Sequence, residues 1–250
     1  VEIIGFGYGK SSGIKSGVIT DLDKAEQAIR SVVGMAERAA GLTLESVLVN
    51  VTAGRLGSET FSATVSLGGQ EVEKSDLVRV LRAVNERSVR HERSIIHALP
   101  IGYSLDGQKG VKDPLGMVGE KLGVDVSVVS AETLAMRNIE LVLHRCHLQL
   151  EALVATPYAS GLATLVDDES QLGVACLDFG GATTTVAVFA DSQLVYADAI
   201  AIGGHHLTLD LARQLSIGVA DAERLKTVYG SVLPGQADER EMIQVVPVGA

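Results

Sequence analysis

Apolar residues recur at helical spacing from Leu22 to Ala40, with Leu22, Ala25, Ile29, Val32, Val33, Ala36 and Ala40 on one stripe. That pattern predicts a helix covering a sheet face. Thr20 or Asp21 stands where its cap belongs and Gly41 where it stops. Residues 1–8 and 46–52 are mostly apolar and β-branched and read as strands, the second of them buried. Between 53 and 130 the grammar changes to a strand over 60–67, a helix over 75–89, a strand over 94–105, a glycine-rich loop and a strand over 121–130. Strand, helix, strand, strand is the order of one helix packed on a small antiparallel or mixed sheet, an inserted module with no chemistry visible inside it. Its helix interleaves Arg79, Arg82, Arg87 and Arg90 with acids, a solvated face by default and a protein-docking surface otherwise. Residues 131–146 resume a helical stripe through Leu134, Ala135, Ile139, Val142 and Cys146. A strand over 151–155 follows, then a helix opened by Thr156 and Pro157, where proline suits the first turn.

The chemistry concentrates downstream. Residues 176–189 read as an apolar strand, a small-residue turn opened by Asp178, and a second β-branched strand. Gly180 and Gly181 let backbone N–H groups approach an anion, Ala182 continues the turn, Thr183 and Thr184 add hydroxyl donors, and Asp178 is placed to hold Mg²⁺ through water. An ordinary hairpin with a glycine-rich turn is the alternative. After a strand over 194–202, Gly203 and Gly204 open an amphipathic helix whose N-terminus can face an anion. On the next helix Glu223 and Lys226 stand three apart, able to reach a ribose or base edge, or simply forming a surface ion pair.

Composition narrows the classes. The 250 residues carry a net charge of −10, which argues against a general nucleic-acid surface, and no tryptophan offers a base-stacking platform. Mean hydropathy is +0.27, yet every apolar run falls short of the roughly 18 residues of a membrane-spanning helix. Cys146 and Cys176 form no disulfide framework. His144, Cys146 and His147 lack a second ligand pair at zinc-like spacing, and the glycine pair accounts for His205, His206 and Asp210 better than a metal does.

Asp178-Phe179-Gly180-Gly181-Ala182-Thr183-Thr184, Ile202-Gly203-Gly204 before Thr208 and Asp210, and Ala222-Glu223-Arg224-Leu225-Lys226 ending at Tyr229-Gly230 resemble the actin-like ATPases, and among them the FtsA family of bacterial cell division. The stretches Gly13–Ile19 and Gly110–Met117 are similar to that family as well. The resemblance implies an α/β, actin-like (ribonuclease H-like) ATPase fold. In it residues 1–52 and 131–168 form subdomain 1A, 53–130 the inserted subdomain 1C, 169–230 subdomain 2A, and 231–250 the start of 2B. It implies ATP and Mg²⁺ as cofactors, self-polymerisation, FtsZ and other divisome proteins as partners, the latter through 1C, and a place on the cytoplasmic face of the inner membrane at the division site. No Asp-x-Gly-Ser/Thr hairpin precedes Asp178 and the late adenosine-contacting glycine pair is absent, so the resemblance implies an internal piece of a longer chain whose membrane-binding helix lies elsewhere. Three departures bear on turnover: Thr156 stands where brisk ATPases of the superfamily carry Glu, Ala182 where many carry Gly, and Thr185 where they carry Asp. A threonine hydroxyl is no general base near neutral pH, so the expectation is a nucleotide-binding structural protein with at most weak ATPase activity and no catalytic residue. The rivals are a PilM-like pilus-assembly protein and a sugar or acetate kinase of the same core.

Overall fold

A computed structural model describes residues 2–52, 54–88, 92–233, 235, 242–245 and 247. The chain opens with a small hairpin, β1 (Ile14–Lys15) and β2 (Val18–Ile19), before helix α1 (Leu22–Ala40). Asp21 caps α1 by accepting the Lys24 amide, and Gly41 ends it in the left-handed region at φ 70° that a Cβ disfavours. Strand β3 (Ser46–Val51) then leads into the module, formed by β4 (Gly57–Ser66), α2 (Lys74–Ser88), β5 (Arg93–Leu105), β6 (Gln108–Val111) and β7 (Lys121–Glu132). Helix α3 (Thr133–Arg145), strand β8 (Gln149–Ala155), helix α4 (Thr156–Thr164) and the short α5 (Asp167–Leu172) follow. The last part is β9 (Val174–Phe179), β10 (Thr184–Ala190), β11 (Gln193–Ile200), α6 (Gly204–Leu215) and α7 (Val219–Tyr229).

β3 and β8 pair in parallel, from Ser46 with Gln149 to Val51 with Ala155, as strands joined by a long crossover do. α1 and α3 cover this pair through Ile29, Val33, Ile139 and Leu143. The remaining strands form one seven-stranded sheet in the order β6-β5-β7-β4-β11-β10-β9. Inside the module β7 lies between β5 and β4 and is buried along most of its length, with α2 packed on one face through Val80 and Val84.

The module shares a sheet and a core with the hairpin strands. β4 meets β11 at Gly57 opposite Asp198, the Ala197 amide donates to Ser58 Oγ at 2.7 Å, and Leu56, Val129 and Ala131 share a core with Ala187, Phe189, Leu194 and Ala197. Some elements differ from the sequence pattern. Residues 2–8 form no strand; Gly5 and Gly7 lie against α1 so closely that a Cβ at Gly7 would stand 2.0 Å from the Val32 carbonyl oxygen. The glycine-rich loop contains β6, paired with the end of β5. β7 runs on to Glu132 before α3 starts. Val1, Val89, Arg90, the side chain of Arg87 and most of 231–250 lie outside the described residues, so the strand start, the end of the module helix and the expected subdomain 2B receive no structural account.

Candidate functional site

The β9–β10 hairpin forms as its pattern requires, with Phe179 opposite Thr184 and Asp178 opposite Thr185. Its turn is closed by Gly180 N–H donating to the Thr183 carbonyl at 2.9 Å. Among the described residues, the amides of Gly181 and Ala182 donate to no protein acceptor. A Cβ on Gly181 would meet nothing within 4 Å, so the turn is open on that side, while the Ala182 nitrogen lies on the side facing Gly203. Ala182 is not among the positive-φ residues, so its methyl costs the turn no strain. Thr183 and Thr184 differ from each other: the Thr184 hydroxyl donates to the Ile202 carbonyl at 2.8 Å, which corrects its role as an anion donor.

The glycine pair after β11 also has a different use from an anion-facing helix start. Gly204 N–H donates to the Gly180 carbonyl at 3.0 Å and His205 N–H to the Gly181 carbonyl at 2.7 Å. Gly203 N–H donates to His206 Nδ1 at 3.1 Å. The N-terminus of α6 is therefore spent on holding the hairpin turn. A Cβ on Gly203 would lie 2.4 Å from the Gly180 oxygen and 2.8 Å from the Ala182 nitrogen, so only glycine permits this approach.

Asp178 points to the face covered by α4, where Ser160 Oγ donates to its Oδ2 at 2.8 Å. Ser160 was missed in the sequence; its signal was the four-residue spacing from Thr156, which puts both on one helical stripe. One turn earlier, the Thr156 hydroxyl lies 2.9 Å from the Thr52 hydroxyl and accepts from Asn50 Nδ2 at 3.2 Å. This polar cluster marks the carboxyl ends of the parallel strands β3 and β8, the place where open α/β sheets bind ligands. Thr185, opposite Asp178, is 3% exposed, and its Oγ1 has no hydrogen-bond partner among the described residues.

Glu223 and Lys226 converge on the start of α6. Lys226 Nζ donates to the Gly204 carbonyl at 3.1 Å, to Thr208 Oγ1 at 2.9 Å and to Glu223 Oε2 at 2.9 Å, which engages all the donors of an ammonium. The Thr208 hydroxyl donates to Glu223 Oε2 as well. These two bonds, the threonine's first and the lysine's second, hold the Glu223 carboxyl below its ordinary pKa. The pair thus steadies α6 on α7, behind the glycine turn. No group of His, Cys, Asp and Glu able to hold a metal ion occurs among the described residues, and none of their helices is long and apolar enough to cross a membrane.

Family models and curated relatives point to one family, and a solved structure to its fold. A family model described as the SHS2 domain inserted in FtsA matches residues 53–130, and one described as cell division protein FtsA matches residues 175–250. The cell division protein FtsA of Rhizobium meliloti (strain 1021) is 57% identical over 249 residues, covering 100% of this chain and 56% of the relative. That of Pseudomonas aeruginosa is 32% identical over 249 residues, covering 100% of this chain and 60% of the relative. The chain therefore spans little more than half the length of these relatives. A solved PilM-PilN type IV pilus biogenesis complex shares the fold at a TM-score of 0.62 and 18% identity, over 89% of this chain and 61% of that one. Matched along its whole length by such relatives and in two segments by the family's own models, the chain belongs to the FtsA family, with its actin-like ATPase fold and inserted module.

Proposed function

We propose that this chain supplies one wall of an ATP-binding site in a bacterial division scaffold. The observation that carries the reading is the pair of unengaged amides at Gly181 and Ala182, next to a carboxylate at Asp178 that Ser160 holds in place. Two adjacent N–H donors in a turn form an anion-binding concavity, and Thr183 adds a hydroxyl beside them. Asp178 fits a hard cation held through water, as a single carboxylate next to phosphate oxygens does for Mg²⁺. Mg²⁺ would neutralise charge on the triphosphate there. Gly203, Gly204, Glu223 and Lys226 support the site from behind, keeping α6 on the turn.

Slow or absent turnover is part of the proposal. Thr156 begins α4 with its hydroxyl already tied to Thr52 and Asn50, and no carboxylate occurs over 156–161 to orient water or accept a proton. The same feature disfavours the small-molecule kinase reading. For the whole protein we propose the family role: polymerisation on nucleotide, linkage of FtsZ to the cytoplasmic face of the inner membrane at the division site, and recruitment of divisome proteins through the module at 53–130.

Calorimetry with MgATP on this chain and on a longer one that includes a second phosphate hairpin tests the reading. Weak binding by this chain, abolished by Asp178→Ala and strengthened in the longer protein, is expected. Binding indifferent to Asp178 in both, or an ordinary enzyme turnover of about 10 s⁻¹, would overturn it.

A further inference from the structure

Beyond the core it shares with the hairpin strands, the module over 53–130 reaches the start of α4 through a histidine. His97, on β5, accepts the amide of Ala155 on its Nε2 at 3.0 Å. Ala155 is fully buried, ends β8 and stands at the N-cap position of α4, which has no side-chain cap. Pro157 follows in the first turn and has no N–H to offer. An orphaned buried amide at this point would be costly, so the histidine lone pair fixes where the strand ends and the helix starts.

The ring has a second contact. It meets Tyr158 of α4 edge-on at 5.0 Å, and Tyr158 stacks on Phe189 of β10 at 6.4 Å. Phe189 in turn fills the space over Gly161, where a Cβ would stand 2.3 Å from the ring. α4 is held by these aromatic contacts and, on its polar stripe, by Thr156 with Thr52 and Ser160 with Asp178.

We infer that His97 is a positioning residue for the Asp178 site: it sets the start of α4, and α4 carries Ser160 to the carboxylate. This rests on the nucleotide reading of that site for its functional meaning, while the mechanical link stands on the contacts alone. The inserted module, by this route, is coupled to nucleotide binding, and anything that shifts β5 shifts the Asp178 wall.

Protonation of His97 would break the link, because an N–H would then face the Ala155 N–H. The ring meets Tyr158 from α4 and the Ala155 amide from β8, Val129 on β7 pairs with His97 in the sheet, and burial, with no charged neighbour contributing, pushes its pKa below the ordinary value of 6.5. The unfolded chain takes the proton first, so the contribution is complete above about 6.5 and is lost as pH falls through the folded value.

The test uses His97→Phe, which removes the acceptor, and His97→Gln, which keeps one, in the 250-residue chain. Hydrogen exchange over 155–161 should quicken roughly five- to tenfold in the phenylalanine variant, the size of one lost hydrogen bond, with strands β4 and β7 unchanged. The glutamine variant should stay near wild type. Affinity for a fluorescent ATP analogue should hold above about pH 6.5 in wild type, fall as the pH drops further through the lowered folded value, and stay flat in the glutamine variant. Wild-type exchange over 155–161 in His97→Phe would overturn the inference. Should that variant unfold as a whole, the pH comparison decides, and equal pH profiles in wild type and His97→Gln would overturn it. Absence of analogue binding by wild type at every pH would count against the nucleotide reading, and the exchange at 155–161, followed against pH in both proteins, still decides the link.

Discussion

The Ser160 hydroxyl donates to Asp178 Oδ2 at 2.8 Å, joining the helix that follows the parallel strands to the hairpin that opens the second half of the chain. A carboxylate held this way has one oxygen committed to the protein and the other available to a cation's water shell. Asp178→Ala should lower ATP affinity and any nucleotide-dependent polymerisation of the longer protein together, read by calorimetry and sedimentation. Ser160→Ala should cost about 1 kcal/mol of stability and weaken binding less, since the charge remains while its orientation is lost.

The glycines predict opposite outcomes. Gly203→Ala places a methyl 2.4 Å from the Gly180 oxygen, so α6 must leave the turn; a loss of about 1–3 kcal/mol in chemical denaturation is expected. Gly181→Ala meets nothing within 4 Å and requires no positive φ, so stability should change by less than about 0.5 kcal/mol while anion affinity drops. Equal destabilisation by the two would contradict the packing described for α6.

Thr185 buries a hydroxyl without a hydrogen-bond partner among the described residues. Thr185→Val should leave stability unchanged or raise it by about 1 kcal/mol, because the methyl replaces a desolvated polar group. Thermal unfolding of the two proteins checks it, and a clear loss would show that the hydroxyl has a partner in solution.

Thr156→Glu should raise phosphate release by the longer protein without tightening ATP binding, by placing a carboxylate one helical turn from Ser160 and Asp178. Some stability should be lost with the Thr52 and Asn50 bonds. Phosphate release beside calorimetry separates the effects.

Glu223 gives a pH signature. Its carboxyl is held below the ordinary value of 4.5 by Thr208 and Lys226, so the unfolded chain protonates first. Its stabilising contribution is present above about 4.5 and is lost as pH falls through the folded value. The stability difference between wild type and Glu223→Gln should therefore shrink on acidification across that window, followed by denaturation at a series of pH values.

The sequence by itself determined the local elements and the family. Asp21, Gly41 and Pro157 act through their own backbone and side chains within a few residues, so the start of α1, its end and the first turn of α4 were legible from composition and spacing. The hairpin at 176–189 was legible for the same reason, since its period and turn chemistry are local. Tertiary structure alone decided what each site residue touches. Nothing in Gly203-Gly204 says whether their amides meet an anion or a carbonyl; the close approach of the 180–183 turn settles that, and it consumes the donors. Lys226 and Glu223 were correctly paired, but their convergence on Thr208 needed the crossing of two helices. The joining of the module to the hairpin sheet at Gly57 and Asp198, and the reach of His97 to Ala155, depend on pairings between residues 141 and 58 positions apart, where spacing along the chain carries no information.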